Sequence, residues 1–345
     1  METKVCLPDE QALALASDLL RQGALVGFPT ETVYGLGADA LNPIAVRSIF
    51  EAKGRPADNP LIVHIWNRSQ LNDLCEIPEK AEILMDAFWP GPLTMLFPRK
   101  PAVHDVVTAG LPTVAVRMPS HPVAAALLRI SGVPVAAPSA NRSGKPSPTT
   151  AAHVFEDMNG RIPLILDGGA CDVGVESTVL DVCHGQPIIL RPGGITREML
   201  ESVLKEEVAL AGSILRPLQP DETALSPGMR YKHYAPSGTV TLVSGEEDHV
   251  LSAMRSLVTE DRSQGLKACV MCFSEHMDTL KDCDPHDIGS RFSDEEVAHR
   301  LFDTLRRMDE EKMDRIYSEV VLPEGVGLAV MNRLGRAAAF RILQV

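Results

Sequence analysis

The sequence predicts an α/β protein of two domains: a twisted mixed sheet with helices packed on it, then a smaller Rossmann-like parallel α/β domain. Three observations carry this expectation. Strand-like apolar runs outnumber helical ones up to residue 208. An aperiodic stretch, AGSILRPLQPDETALSPGMRYKHYAPSG, then brings four prolines before Gly238. Beyond it, strands and helices alternate regularly, as in a parallel sheet. The chain has 345 residues, enough for two cores. The expected boundaries are 1–208 for the first domain, 209–238 for an extended linker or lid, and 239–345 for the second domain.

Residues 8–22 read as a helix, with Leu13, Ala16, Leu19 and Leu20 on one face and Gly23 as its stop. A short strand runs from Leu25 to Phe28. Asn42 and Pro43 fit an N-cap and first helical position, Val46, Ile49 and Phe50 form a buried stripe, and Gly54 ends that helix. Strands are expected at 61–65, 93–97, 113–117, 133–137, 164–167, 177–182 and 187–191. Helices are expected near 78–88, 121–131, 149–158 and 196–207. In the second domain the order is VTLVSG, a helix near 246–259, LKACVMCF, a helix near 294–310, RIYSEVVL and a final helix near 326–343.

Apolar residues make up 45% and charged residues 23%, ordinary for a soluble globular chain. No apolar stretch approaches the ~18 residues of a membrane helix. The start, METKVCLPDEQALALASDLL, lacks the basic and apolar regions of a signal peptide. Seven scattered cysteines argue against a disulfide framework. Cys269 and Cys272 lie inside an apolar run, which reads as buried strand thiols, and no second CxxC completes a zinc site. The expected compartment is the cytoplasm. A formal net charge of -13 disfavours a surface that coats nucleic acid, and leaves room for a small cationic pocket.

The chemistry-bearing segments gather where strands end. They are PTETVYGLG (29–37), KGRPADNP (53–60) with the strand ending at His64, Arg117 after TVAV, APSANRSGKPSPTT (137–150), GVESTVLD (174–181) and LRPGG (190–194). Strand ends in α/β sheets are where amides and side chains converge on ligands. Lys53, Arg55, Arg117, Arg142, Lys145 and Arg191 all fall there, in an acidic chain. Guanidinium forks and glycine-rich backbone suit carboxylate and phosphate oxygens, so these loops point to a polyanion pocket, such as a nucleotide beside a small carboxylate. Taken singly, Lys53 could complement a helix dipole, His64 could be structural and Arg117 a surface ion pair. Neither GxxxxGK[ST] nor GxGxxG after a strand is present, so the phosphate site is of another kind.

Together, PTETVYGLG, KGRPADNPLIVHI, PSANRSGKPSPTT and LRPGG resemble the signature segments of the threonylcarbamoyl-AMP synthases, the YrdC-like family, over residues 8–207. The YKHYAP segment and the tail resemble the family's long two-domain form. The resemblance implies a twisted α/β catalytic domain with a cationic cavity, and a reaction. L-threonine, bicarbonate and ATP, with Mg, give L-threonylcarbamoyl-AMP and pyrophosphate. The product would serve a downstream threonylcarbamoyl transferase that modifies tRNA. By resemblance, Lys53, Arg55, Ser139 and Asn141 form the catalytic set around the phosphates. Asn59, Thr113, Ser147, Arg191, His233 and Tyr234 are further ATP contacts, the last two on a linker that closes over the nucleotide. Thr32, His64, Arg117, Ala137 and Ser177 line the threonine pocket, with Arg117 facing its carboxylate.

Two rivals remain at this level. One is an RNA-binding protein that uses the cationic cavity without catalysis, disfavoured by the acidic background. The other is a carbamoyl-transfer maturation enzyme, disfavoured by chain length and the missing paired CxxC units.

Overall fold

The computed structural model describes residues 1–216 and 234–345, which form two compact units. One comprises Met1–Ser143 with Ser147–Ile214. The other comprises Gly144–Pro146, residues 215–216 and residues 234–345. Most of the expected linker, His233 included, lies outside the described residues.

In the first unit the expected opening helix is Glu10–Arg21, with the Asp9 side chain accepting from Ala12 N and Ala12, Ala16, Ser17 and Leu20 buried. The next helix, Pro43–Lys53, starts on Asn42, whose side chain accepts from Ile44 N and Ala45 N. It ends at Gly54, whose φ of 66° places it in the left-handed region that glycine fills without strain.

Eleven described strands form one mixed sheet. The order is Lys4–Cys6, Leu164–Leu166, Val26–Phe28, Gly35–Asp39, Val135–Ala136, Ile62–His64, Thr113–Arg117, Leu93–Pro98, Thr178–Asp181, Ile188–Arg191 and Ala209–Leu210. Strand Gly35–Asp39 is not announced by the sequence, because GLGAD lacks β-branched residues. Its glycines are what let it pair there: a Cβ on Gly37 would lie 2.8 Å from Val135 Cγ1 and 2.9 Å from the Phe28 ring. Strand Ala209–Leu210 adds parallel to Ile188–Arg191, so the first unit continues past residue 208.

Register fixes which side chains share a face. Ile62 pairs Ala115 and His64 pairs Arg117; Arg117 pairs Thr94, Thr94 pairs Val179, and Val179 pairs Arg191. His64, Arg117 and Thr94 therefore project from one face of three adjoining strands, and Arg191 lies two strands further on, past an irregularity in the register between Ile189 and Arg191. Ile62, Leu96, Ala115, Val179 and Leu190 form the apolar floor of that region.

The second unit is a five-stranded, all-parallel sheet in the order Pro285–Asp287, Ala268–Cys272, Arg315–Ser318, Thr239–Ser244 and Ile342–Gln344. Helices Glu247–Ser263, Asp294–Glu310 and Gly327–Ala337 connect the strands. The expected final helix stops at Ala337 rather than continuing to 343. Ala339 and Phe340 take φ values of 50° and 58°, the chain reverses, and Ile342–Gln344 becomes an edge strand. No glycine or proline marks that turn, which is why the apolar tail reads as helix. Cys269 and Cys272 are fully buried strand residues, and burial pushes both thiols up to about 12. No described helix is long and apolar enough to cross a membrane.

Candidate active site

Lys53 occupies the last turn of its helix and is 3% exposed. Its Nζ donates to Ser139 O at 2.5 Å and Asn141 O at 2.6 Å, and lies 3.4 Å from Asn141 Oδ1. Ser143 N donates in return to Lys53 O. A helix-dipole role would leave the ammonium in solvent; here it bolts the helix end to the Ser-Ala-Asn loop. Within that loop Ser139 Oγ donates to Asn141 Oδ1 at 2.5 Å, and Asn141 Nδ2 donates to Arg142 O. Leu36 N donates to Pro138 O, Ala140 N to Tyr34 O, and Tyr34 N to Pro148 O. The Tyr34 hydroxyl donates to Gly169 O and accepts from Gly168 N, and burial raises its pKa. The first and fourth signature segments are thereby stitched together.

The Arg55 guanidinium lies 5.2 Å from the Phe50 ring centroid, with Nη2 3.5 Å from Asn59 O. Asn59 is 0% exposed, yet neither its amide nitrogen nor its amide oxygen has a hydrogen-bond partner among the described residues. A buried amide left so costs about 1–3 kcal/mol, which a ligand at this point would recover. Thr113 opens the strand that Arg117 closes, beside the turn leading from Asn59 into Ile62–His64. Four residue steps along the strand separate Thr113 from Arg117, about 13 Å.

At the carboxyl end Arg117 is 3% exposed and held on three sides. Its Nε donates to Gly91 O at 3.2 Å and its Nη1 to Thr32 Oγ1 at 2.8 Å, while Nη2 pairs with Glu31 Oε1 at 2.7 Å. Thr30 Oγ1 gives its proton to Val33 O, so the 2.8 Å contact with Thr32 has Thr32 as donor. The Thr32 lone pairs are thereby left to Arg117. A guanidinium has five N–H donors, so this clamp keeps capacity for a ligand carboxylate. Burial pushes the Glu31 carboxyl up and Arg117 more than offsets it, leaving the group below the usual carboxylate range and ionised.

His64, 4% exposed, packs edge-on to Phe28 at 6.1 Å, and its Nδ1 lies 3.2 Å from Ile62 O. A carbonyl only accepts, so Nδ1 carries the proton and Nε2 is an acceptor. Burial, then the Arg117 charge, bring its pKa down to about 3, and the imidazole stays neutral. This has a thermodynamic consequence. Between pH 6.5 and about 3 the unfolded chain binds a proton at this position that the folded chain refuses, so stability falls as pH drops through that window. His64→Gln is expected to remove up to about 1.4 kcal/mol per pH unit of that slope, measured by urea unfolding from pH 6.5 to 4.5.

Arg191 donates from Nε and Nη2 to Ser177 O and from Nη2 to Ser177 Oγ, which also shares a 2.8 Å hydrogen bond with Thr94 Oγ1. Gly193 allows this approach: a Cβ there would lie 2.3 Å from Thr178 N and 2.5 Å from Glu176 O. Gly193→Ala is therefore expected to displace residues 176–178, lowering stability by about 2 kcal/mol or more and turnover with it. Equal melting temperatures for variant and parent would contradict this. Ser147, fully buried, donates to Glu176 Oε1 at 2.5 Å. Ala137 is buried and its N–H donates to Ile62 O.

Arg142 is exposed, and Lys145 belongs with the second unit. Tyr234 also lies in the second unit, 5.2 Å from Phe302 and 5.8 Å beneath the Arg333 guanidinium. Sequence reasoning missed Glu31, Glu176 and Thr94. The signal for Glu31 was its place as the one acidic residue of PTETVYGLG. Lys53, Arg117 and Arg191 are buried and bonded to backbone carbonyls, with Arg117 also on a carboxylate, unlike a phosphate-backbone-binding surface.

The arrangement is that of an α/β protein in which one sheet face presents a buried Arg117–Glu31 pair beside loops tied together by Lys53 and Arg191. Comparison with known proteins is consistent with this. Residues 18–193 match the family model of Sua5, YciO and YrdC proteins, described as "Telomere recombination", and residues 195–339 match the "Threonylcarbamoyl-AMP synthase, C-terminal domain". The chain is 48% identical to the threonylcarbamoyl-AMP synthase of Pyrococcus abyssi over 342 residues, 98% of this chain and 97% of the relative. It is also 48% identical to that of Bacillus subtilis, over 97% of this chain and 95% of the relative. The crystal structure of Pyrococcus abyssi Sua5 complexed with L-threonine superposes with a TM-score of 0.92 at 46% identity, covering 100% of this chain and 99% of that one. The chain belongs to the threonylcarbamoyl-AMP synthase family of enzymes, in its long two-domain form.

Proposed function

We propose that this chain converts L-threonine, bicarbonate and ATP into L-threonylcarbamoyl-AMP and pyrophosphate, the activated donor for threonylcarbamoyladenosine formation in tRNA. One observation supports this most directly: Arg117 and ionised Glu31 sit side by side in a buried site, as a zwitterionic amino acid requires. Arg117 takes the threonine carboxylate, Glu31 faces its amino group, and neutral His64 accepts from its hydroxyl. Thr32, Ala137 and Ser177 complete the pocket.

ATP lies along the loops, with Arg55, Ser139, Asn141, Ser147 and Arg191 on the phosphates and Asn59 and Thr113 at the nucleoside end. Magnesium enters on the triphosphate as part of the substrate. The threonine amine adds to bicarbonate with loss of water, a carbamate oxygen attacks the α-phosphorus, and pyrophosphate leaves. Alignment and neutralisation of developing charge supply most of the catalysis. The carbamate hydrolyses readily, so water must be excluded.

His233 and Tyr234 supply further ATP contacts in this reading. Tyr234→Ala is expected to raise the apparent ATP KM more than the threonine KM; an equal change in both would remove that assignment. The deciding assay for the function is pyrophosphate release from ATP. It should require both threonine and bicarbonate, and release indifferent to either would overturn the proposal.

A further inference from the structure

The second unit carries a cluster that the reaction above does not use. Asp284 immediately precedes strand Pro285–Asp287, His286 lies within it, and Glu311 caps the C-terminus of helix Asp294–Glu310. One ligand atom from each of the three lies within 4.8 Å of the others. His286 is 6% exposed, and its Nε2 has no hydrogen-bond partner among the described residues. That nitrogen faces Glu311 Oε2 at 3.4 Å and Asp284 Oδ2 at 3.8 Å without hydrogen-bond geometry to either. A buried imidazole nitrogen aimed between two carboxylates is expensive unless something occupies the gap.

Ligand atoms ~2.0–2.2 Å from a shared ion are separated by ~3.0–3.6 Å, and His286 Nε2 already lies 3.4 Å and 3.8 Å from the two carboxylates, so a small side-chain adjustment would close the three groups on one ion. Parallel pairing of Val270 with Pro285 and of Met271 with His286 brings strand Ala268–Cys272 alongside the cluster. The Cys269 thiol, raised to about 12 by burial and then by Asp284 and Glu311, lies 3.3 Å from Met308 Sδ. Imidazole and two carboxylates with sulfur close by suit zinc or a similar transition ion; calcium and magnesium favour all-oxygen sites.

We propose that Asp284, His286 and Glu311 form a divalent transition-metal site of zinc class that ties the edge strand Pro285–Asp287 of the second unit to the end of helix Asp294–Glu310. An ion bound there stabilises the fold by mass action.

The test uses full-length protein freed of metal with EDTA and titrated calorimetrically with zinc chloride, magnesium chloride serving as the control. About one zinc per chain should bind, magnesium should not compete, and zinc should raise the melting temperature. Glu311→Gln, at a partly exposed position that leaves the fold intact, should weaken zinc at least tenfold and remove the thermal shift, as should His286→Asn. Zinc binding at full strength in both variants would place the metal elsewhere and overturn the proposal. Absence of zinc binding in the parent protein would overturn it too, leaving His286 as an ordinary ion-pair partner of the carboxylates.

Discussion

Replacing Arg117 with methionine is expected to abolish threonine-dependent pyrophosphate release and to destabilise the protein by about 3–5 kcal/mol, the usual cost of stranding a buried charge. The stranded group is Glu31, 6% exposed and paired with Arg117 at 2.7 Å. With Arg117 present, the Glu31 carboxyl titrates below its ordinary value, so its contribution to stability is present above the unfolded value of 4.5 and lost as pH falls through the folded one. Without Arg117 burial is opposed only by backbone hydrogen bonds at Glu31 and Ser120, so the folded value rises and that contribution is lost. Combining Arg117→Met with Glu31→Gln removes both charges and should restore most of the stability without restoring turnover. Urea unfolding and pyrophosphate assays on the four proteins separate the two roles. Recovered turnover in the double variant would mean that Arg117 serves merely to neutralise Glu31.

The second large effect is expected at Lys53. Lys53→Met leaves Ser139 O and Asn141 O without the ammonium that both accept from. At about 1–3 kcal/mol for each of the two acceptors stranded, the loss should be about 2–6 kcal/mol. The Ser139–Asn141 loop would also drift from the phosphates, lowering kcat/KM by about 10²–10³-fold, or about 2.7–4.1 kcal/mol of transition-state stabilisation. Stability and activity should fall together, because Lys53 acts through the loop. Lost turnover with an unchanged melting temperature would instead place the ammonium directly on ATP.

Much of this architecture is legible in local chemistry. Asn42, Pro43 and Gly54 mark both ends of a helix because capping is set by a few adjacent residues. The strands ending at His64, Arg117 and Arg191 read as apolar runs closed by a polar residue. Strand Gly35–Asp39 is hidden because its pairing depends on the absence of side chains opposite Phe28 and Val135, a fact about three segments at once. The same distinction separates the parts of the site. That Lys53 and Arg117 matter follows from cations at strand and helix ends. What they do there does not, because the Lys53 contacts lie 86 and 88 residues away in the chain. Glu31 stayed hidden for that reason: an acid between two threonines has no periodicity, and its meaning comes from the sheet order that places Arg117 beside it. The edge strand Ile342–Gln344 was illegible because Ala339 and Phe340 reverse the chain without a glycine or proline.

The central claim is that one face of the first sheet holds threonine by the Arg117 and Glu31 pair. Calorimetric titration of L-threonine into the stable Arg117→Met, Glu31→Gln double variant, beside the parent protein, tests it most directly. Saturable binding to the parent and none to the folded double variant is the predicted result. Threonine binding of unchanged affinity in the double variant would contradict it.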